Sequence, residues 1–203
     1  MSETVDVTPG LLFVLSGPSG VGKDAVMAKL RQDGFSLNFG VTATTRRQRL
    51  GEVQGKDYFF VSEQEFDRMI AQDELLEWAH VHCHRYGVPR SSVRQFIEGG
   101  QDVLLRVDVQ GAAAIRSKVP LAVLIFLAPP SMESLIARLT QRGTETPDEL
   151  ATRIANAYDE MNRLPEFDYE VVNPDGGLEE AVDKVRAIVV AERCRVKRRR
   201  VVV

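Results

Sequence analysis

Three residues near the start of the chain, Gly17, Gly22 and Lys23, have the types and the spacing of a phosphate-binding loop. They fit the pattern GxxxxGK[ST], in which backbone N–H groups surround phosphate oxygens and the lysine reaches the β and γ phosphates of a triphosphate. The last position departs from the pattern, because Asp24 stands where a Ser or Thr hydroxyl normally binds Mg²⁺. The sequence therefore predicts a nucleoside-triphosphate site with an unusual carboxylate beside it.

The elements on either side of this loop are those that the motif requires. An apolar run from Leu11 to Leu15 predicts a buried parallel strand before it, and the spacing of Val26, Met27 and Leu30 predicts a helix with one apolar face after it. The helix would present its positive end to bound phosphates. We expect ATP to contact the whole loop, namely Gly17, Pro18, Ser19, Gly20, Val21, Gly22, Lys23 and Asp24.

Composition favours one globular α/β domain. The chain has 203 residues, of which 44% are hydrophobic and 27% charged, enough to bury a full core. No window approaches about 18 consecutive apolar residues, and the run at Leu11 lacks the basic flank of a signal peptide. Cys83 and Cys194 lack metal-site spacing and are expected to be free thiols. We expect a soluble, cytoplasmic protein with no membrane partner, and the sequence leaves the oligomeric state open.

The end of the chain is strongly basic. Six of the 26 Lys and Arg residues follow Glu192 and no acidic residue does, so the body is more acidic than the formal net charge of −3 suggests. A basic tail could contact nucleic acid or a membrane surface, but a frayed, solvated end is the commoner case. We therefore assign no function to residues 193–203 and expect no nucleic-acid partner.

Helical and strand patterns alternate along the chain as a doubly wound sheet requires. Two long apolar runs, in DVLLRVD and LAVLIFLAPP, indicate a parallel sheet with helices on both faces. A polar, Gly-rich stretch contains short alternating strands and a helix that Ser62 and Glu65 begin as a capping box, which is typical of an insertion. The predicted division of the single domain, 1–203, is a core (9–34, 88–130 and 165–192), the insertion (35–87), a helical segment (131–164) and the tail (193–203).

Several segments together resemble the guanylate kinase family. They are GPSGVGK, TATTRRQRLGEVQGKDYFF, LLEWAHVHCHRYGV, VDVQG, FLAPPS and QRGTET, and their order and spacing match the family from about Leu11 to Glu192. No single segment suffices, whereas the combination is specific. The resemblance implies an α/β fold of the P-loop NTPase type, with a mixed-β GMP-binding region at 35–87 and a helical lid within 131–164.

The resemblance also implies which residues bind GMP. Arginines would present planar donors to its dianionic phosphate, and tyrosine hydroxyls would donate without adding charge. The carboxylate of Glu77 would accept from guanine N1–H and the 2-amino group together. Adenine offers no such pair, so AMP would leave that carboxylate unpaired at a cost of ~1–3 kcal/mol or more. The implied residues are Arg46, Arg49, Tyr58 and Tyr86 at the phosphate, and Thr42, Glu77 and Asp108 at the guanine.

Taken one at a time, these residues allow other interpretations. The arginines could form a solvated charge cluster, Tyr58 could belong to the core, and Glu77 could be a surface residue on the face opposite Leu76 and Trp78. Only the joint pattern favours a GMP site.

The segment 131–164 is expected to close over the nucleotides. Arg138 and Arg142 lie four apart on one predicted helix, and Arg153 lies on the next. By resemblance these are the lid arginines, which supply positive charge around a migrating phosphoryl group while water is excluded. The resemblance also implies that Asn173 contacts adenine, although the PDGG that follows departs from the family's tighter loop.

The implied reaction is ATP + GMP giving ADP + GDP, with Mg²⁺ bridging the β and γ phosphates. Its catalytic cations would be Lys23, Arg138, Arg142 and Arg153. Because the GMP phosphate is already an anionic nucleophile, positioning and charge neutralisation carry the rate. Two alternatives stay open. The motif TTRRQRLGE and Glu77 argue against a ribose 1,5-bisphosphate phosphokinase, and the retained lysine and lid arginines argue against a catalytically silent binding module.

Three residues depart from the family pattern. Val88 replaces a Ser or Thr after the Tyr-Gly pair, so one hydroxyl contact to GMP is expected to be missing. Asp24 replaces the loop hydroxyl, and Arg106 replaces an acid on the predicted strand face of Asp108. We hypothesise that the last two changes are coupled. Asp24 would supply an oxygen ligand to Mg²⁺, directly or through water, and Arg106 would offset its charge.

Overall fold

The computed structural model describes residues 9–81, 83–141 and 147–203. Its strands are β1 (Leu12–Ser16), β2 (Asn38–Phe39), β3 (Ala43–Thr44), β4 (Phe59–Phe60), β5 (Leu75–Val81), β6 (His84–Pro89), β7 (Val103–Arg106), β8 (Val123–Ala128) and β9 (Tyr169–Val172). Its helices are α1 (Lys23–Gln32), α2 (Glu63–Ala71), α3 (Arg90–Glu98), α4 (Val109–Lys118), α5 (Met132–Gln141), α6 (Pro147–Met161) and α7 (Leu178–Arg193). None of these described helices is long and apolar enough to cross a membrane.

Five strands form the central sheet, all parallel, in the order β2-β7-β1-β8-β9. Alternate residues of β1 enter two different apolar clusters. Phe13 and Leu15 share one cluster with residues of α1 and α7, and Leu12 and Val14 share the other with residues of α3 and α4. Burial on both faces explains why this strand is a continuous apolar run. The predicted doubly wound parallel sheet is confirmed.

A second, mixed sheet lies mostly within the stretch predicted to be an insertion, 35–87. The bounds differ at both ends, because β6 continues to Pro89 and β2 belongs to the central sheet. The strand order of the mixed sheet is β4-β3-β6-β5, in which β3 and β4 are parallel and the other pairs antiparallel. Ser62 caps α2 by accepting a hydrogen bond from the Glu65 backbone N–H (3.0 Å), as the capping box predicts. Phe66 and Met69 of this helix pack on Ala43, so the small sheet has an apolar cluster of its own.

The carboxyl ends of the parallel strands bring the functional segments to one edge of the central sheet. The phosphate loop follows β1, and Asn173 follows β9. Asp108 comes two residues after β7 and is the N-cap of α4, where its side chain accepts from the Gly111 N–H (2.7 Å). The expectation that Arg106 and Asp108 share a strand face is therefore wrong, because β7 ends at Arg106.

The basic tail folds back onto the body, so the prediction of a frayed end is wrong. Glu192 is buried, and its carboxylate accepts hydrogen bonds from Tyr169 Oη (2.6 Å) and Arg199 Nε (3.1 Å). Arg193 donates to the buried carboxylate of Asp102 (2.6 Å). Val201 is buried in the apolar cluster around α3 and α4. Part of the tail's positive charge is thus matched by buried carboxylates of the same chain.

Candidate active site

Glycines shape the phosphate loop between β1 and α1. Gly17 has φ +133°, and a Cβ there would lie 2.2 Å from the carbonyl oxygen of Leu127. Gly22 has φ +105° directly before α1. Residues with a Cβ rarely adopt these conformations, so glycine is required at both positions. The rest of the turn consists of Pro18, Ser19, Gly20 and Val21.

Lys23 bonds to its own loop. Its Nζ donates to the carbonyl oxygens of Gly17 (2.5 Å) and Pro18 (3.0 Å). Burial lowers the pKa of Lys23 to about 8, although the negative charge of Glu160 acts in the opposite direction. The ammonium group thus lies beside the first two residues of the loop, where it can exchange carbonyl oxygens for phosphate oxygens.

Two side chains predicted to face ATP support the loop from outside. Asn173 is buried, and its Nδ2 donates to the Val21 carbonyl (2.8 Å). Arg138 donates to the same carbonyl (3.2 Å) and, through Nη2, to Asp175 (2.6 Å). The structure therefore brings both residues to the loop, where their donors already have partners in the protein. The contact of Asn173 with adenine stays a prediction.

Helix α6 contributes two charged side chains to the same loop. Arg153 Nη2 donates to Ser19 Oγ (2.9 Å), and the Ser19 backbone N–H donates to Glu160 Oε2 (2.9 Å). Sequence reasoning missed Glu160, although its spacing from Arg153 corresponds to two helical turns and so places both on one face. The third predicted lid arginine, Arg142, lies outside the described residues.

One cavity of about 470 Å³ joins the loop to the mixed sheet. Its volume is within the range of small-molecule sites, about 300–1,000 Å³. The loop and five of the seven predicted GMP residues therefore share one space, whereas Arg46 and Arg49 do not line it. The lining residues are Ser19, Lys23, Thr42, Tyr58, Glu77, Ala79, Tyr86, Arg106, Val107, Asp108 and Glu160.

Two carboxylates in the cavity lining, Glu77 and Asp108, lie close to each other. A Cβ added at Gly111 would lie 3.1 Å from Glu77 Oε2 and 3.3 Å from Asp108 Oδ1, which places both groups beside the first turn of α4. Burial raises the pKa of Glu77 to about 7, and the negative charge of Asp108 acts in the same direction. Among the described residues, the Glu77 carboxylate has no hydrogen-bond donor, so it can accept two bonds from a ligand.

Two tyrosines of the cavity lining, Tyr58 and Tyr86, lie near each other, with a cation beside Tyr58. The Arg46 guanidinium stacks over the Tyr58 ring (5.3 Å to its centroid), and the rings of Tyr58 and Tyr86 are 6.0 Å apart. Glu52, which sequence reasoning missed, accepts from Arg46 Nη2 (2.7 Å) and from the Arg49 backbone N–H (2.7 Å). Glu52 thereby fixes the Arg46 guanidinium beside Tyr58, a residue of the cavity lining. Neither arginine lines the cavity itself, and the side chain of Arg49 is exposed on the adjoining turn.

The two unusual charges near the loop, Asp24 and Arg106, are ion-paired. Arg106 Nη1 donates to Asp24 Oδ1, and the Asp24 side chain is 79% exposed. Arg106 also lines both the main cavity and a smaller one of about 200 Å³ beside Asp24 and Glu52. The structure therefore brings together the two residues whose changes were hypothesised to be coupled.

The chain is similar to known guanylate kinases over nearly its whole length. A family model described as guanylate kinase matches residues 10–192. A guanylate kinase of Caldanaerobacter subterraneus subsp. tengcongensis is 48% identical over 93% of this chain and 91% of its own. Guanylate kinase 2 of Oryza sativa, described as chloroplastic/mitochondrial, is 47% identical over 94% of this chain and 67% of its own. A crystal structure of guanylate kinase from Anaplasma phagocytophilum is 35% identical, has a TM-score of 0.74, and is matched over 96% of this chain and 91% of that one.

Proposed function

The chain belongs to the guanylate kinase family and transfers a phosphoryl group from ATP to GMP, and we propose how its own residues carry out this reaction. The observation that carries the proposal is the shared cavity, in which the phosphate loop and the buried Glu77 face the same space. An oxygen of the GMP phosphate attacks the γ phosphorus, and the bond to the β-phosphate oxygen of ATP breaks. The products are ADP and GDP.

The ATP side consists of the loop from Gly17 to Asp24. Its backbone N–H groups and the start of α1 face the phosphates, and Lys23 moves its donors from the loop carbonyls to the β and γ oxygens. Asn173, which is fixed beside Val21, stands next to the place proposed for adenine.

On the GMP side, carboxylates are proposed to recognise the guanine base. Glu77 accepts from N1–H and from the 2-amino group, and Asp108 and Thr42 line the same cavity. Because AMP cannot supply these donors, it would leave a buried carboxylate unpaired, at a cost of about 1–3 kcal/mol. The ionised form of Glu77 is the acceptor, so GMP binding should strengthen as the pH rises through about 7.

The phosphate of GMP is proposed to lie beside Tyr58 and Tyr86. Arg46 and Arg49 supply charge, and the hydroxyls of Tyr58 and Tyr86 donate without adding charge. Since the guanidinium of Arg46 is already held by Glu52, little side-chain freedom is lost when GMP binds.

Residues 131–164 are proposed to form the lid, and 35–87 the GMP-binding region. Arg138 and Arg153 already contact the loop, through Val21 and Ser19 respectively. With Arg142, they would place positive charge around the transferred group when the site is closed to water.

The donor set beside the loop suits Mg²⁺, which guanylate kinases generally use. Asp24 offers an exposed, hard carboxylate oxygen at the start of α1, and this ion usually combines one or two carboxylates with substrate phosphates. Within the described part of the chain no cluster of three or more His, Cys, Asp or Glu could hold a metal on its own, which agrees with an ion held mainly by nucleotide. When bound, Mg²⁺ neutralises charge on the β and γ phosphates.

A double-mutant cycle tests the role of Asp24 and Arg106. The kcat/KM of Asp24→Ser, Arg106→Asp and the double variant is measured over a range of Mg²⁺ concentrations. Each single change is expected to lower kcat/KM, and Asp24→Ser is also expected to raise the Mg²⁺ concentration needed for activity. The double change is expected to recover kcat/KM. Additive losses with an unaltered Mg²⁺ dependence would refute the coupling. Fluorescence titration of Mg²⁺ into the ADP complex gives a readout apart from activity.

A substrate comparison tests the activity itself. ADP release is followed with ATP and either GMP, AMP or ribose 1,5-bisphosphate as acceptor. The kcat/KM for GMP should exceed that for AMP by about 10²-fold or more. Turnover with ribose 1,5-bisphosphate alone, or with none of the three, would contradict the proposal. A cytoplasmic location and the lack of a nucleic-acid partner stay predictions.

A further inference from the structure

Two charged side chains of helix α6 contact the phosphate loop at Ser19. Arg153 donates to its hydroxyl, and Glu160 accepts from its backbone N–H, each at 2.9 Å. The arginine has a role in the proposed reaction as a lid cation. The carboxylate has none, although it lines the cavity and lies among groups that should bind phosphate.

The Ser19 N–H is one of the backbone donors that such a loop offers to phosphate oxygens. A carboxylate bonded to it therefore occupies the place of an anion. Glu160 also acts on Lys23, because its negative charge opposes the lowering of the lysine pKa by burial. Without nucleotide, the carboxylate both satisfies a loop donor and balances part of the positive charge of the loop.

A bound di- or triphosphate needs the Ser19 N–H, which donates to Glu160 when no nucleotide is bound. One N–H serves one strong acceptor, and two negative groups in a partly buried site repel each other with little screening. Glu160 and Ser19 are both half-buried. Since Glu160 projects from α6 and not from the loop, its carboxylate can withdraw while the glycine-defined loop keeps its shape.

We propose that Glu160 is an internal stand-in for phosphate: it occupies the loop's anion position when no nucleotide is bound, and it lowers the affinity for ligands with a β phosphate. This inference rests on the proposed function, because it requires that the loop binds ATP. Its consequence is easier departure of ADP, since the carboxylate returns to Ser19 as the product leaves. Product release limits turnover in many enzymes.

Two variants separate this role from simple attachment of the helix. Glu160→Gln keeps an oxygen that can accept from the Ser19 N–H but removes the charge. Asp159→Asn removes the same charge from the adjacent, exposed position of α6 and is the matched control. The affinity of each protein for ADP is measured by calorimetry at fixed Mg²⁺ and without GMP, and folding is checked by thermal melting.

Glu160→Gln is expected to bind ADP about tenfold more tightly than the wild type, and Asp159→Asn equally to the wild type. Unchanged or weaker binding by Glu160→Gln, or the same gain in Asp159→Asn, overturns the inference. A wild-type chain that binds neither ATP nor ADP would instead refute the proposed function. If Glu160→Gln does not fold, Glu160→Asp replaces it. Its shorter side chain reaches Ser19 less well, so ADP should bind about threefold more tightly, and no gain overturns the inference.

Discussion

The two sides of the active-site cavity differ in how their polar groups are satisfied before any nucleotide binds. On the ATP side, Lys23 donates to two carbonyls of its own loop, and the Ser19 N–H donates to Glu160. On the GMP side, Glu77 is only 8% exposed, and no described residue donates a hydrogen bond to its carboxylate.

This difference has an energetic meaning. The ATP side keeps internal partners that phosphate oxygens must displace, so the protein limits its own affinity there. The GMP side keeps the Glu77 carboxylate, whose charge is disfavoured by burial and by the charge of Asp108. This lowers the stability of the free protein, and the loss is recovered when guanine donates hydrogen bonds to the carboxylate. Substitutions on the two sides should therefore differ in their effects on stability.

The largest effect is expected on the ATP side, from Lys23→Met. Loss of the ammonium group removes charge from the phosphates in the transition state, and kcat should fall by about 10³-fold. The measurement is steady-state kinetics at saturating ATP and GMP. Lys29→Met on the same helix, where Lys29 pairs with Asp33 and Glu179, is the control and should stay within about twofold of wild type. A loss below tenfold for Lys23→Met would contradict its role.

The next effect is expected on the GMP side, from Glu77→Gln. The amide opposes the guanine 2-amino group, so kcat/KM for GMP should fall by about 10²-fold. The free protein, in contrast, should become more stable at pH 8, by about 2–3 kcal/mol in urea unfolding.

The sign of that stability change follows from the pKa. Glu77 titrates at about 7 in the folded protein and near 4.5 when unfolded, so the folded state binds its proton more tightly. The resulting stabilisation is present below pH 4.5 and is lost as the pH rises through about 7, and a Gln does not lose it. The gain should vanish at pH 4. Glu98→Gln, at an exposed position of α3, should change neither quantity, and a Glu77→Gln protein that is less stable at pH 8 would be at odds with this comparison.

Gly111→Ala probes the same side without removing a charge. The new Cβ would lie 3.0 Å from Val107 Cβ and 3.1 Å from Glu77 Oε2, so both neighbours must shift by a few tenths of an ångström. The KM for GMP should rise by about tenfold, while the KM for ATP should stay unchanged. Ser117→Ala, on the exposed side of the same helix, is the control. Equal rises in both KM values would show general damage to α4 and not displacement of Glu77.

The smallest effect is expected from Val88→Thr. Val88 shares a face of β6 with Tyr86 by the period of two, yet it is buried in an apolar cluster with Leu76 and Val93. A hydroxyl there should destabilise the free protein by about 1 kcal/mol and lower the KM for GMP by about 2–10-fold, through one neutral hydrogen bond. A KM that is unchanged or higher would refute the missing-hydroxyl explanation.

The parts of the molecule that could be predicted from the sequence are those set by local pattern. Apolar runs predicted β1, β7 and β8 of the central sheet, the capping box predicted the start of α2, and Gly17, Gly22 and Lys23 predicted the loop. The resemblance added residues at the cavity that no periodicity could assign, such as Glu77 and Tyr86.

The parts that could not be predicted depend on contacts between distant segments. Glu160 meets Ser19 across 141 residues of chain, and its helical spacing from Arg153 indicates only a shared face, not the partner. The tail was expected to be solvated because its charges are visible in the sequence, whereas burial of the matching carboxylates of Glu192 and Asp102 is a property of the folded chain.

The most direct test of this account is the protonation state of Glu77 with and without GMP. Infrared difference spectra of the free protein should show a carboxylic acid band that disappears as the pH rises through about 7, and that is absent from Glu77→Gln. Addition of GMP at pH 6 should remove the band, because the guanine donors favour the ionised carboxylate. A band that persists at pH 6 with GMP bound, or no Glu77-dependent band at all, would contradict the claim that this carboxylate reads guanine.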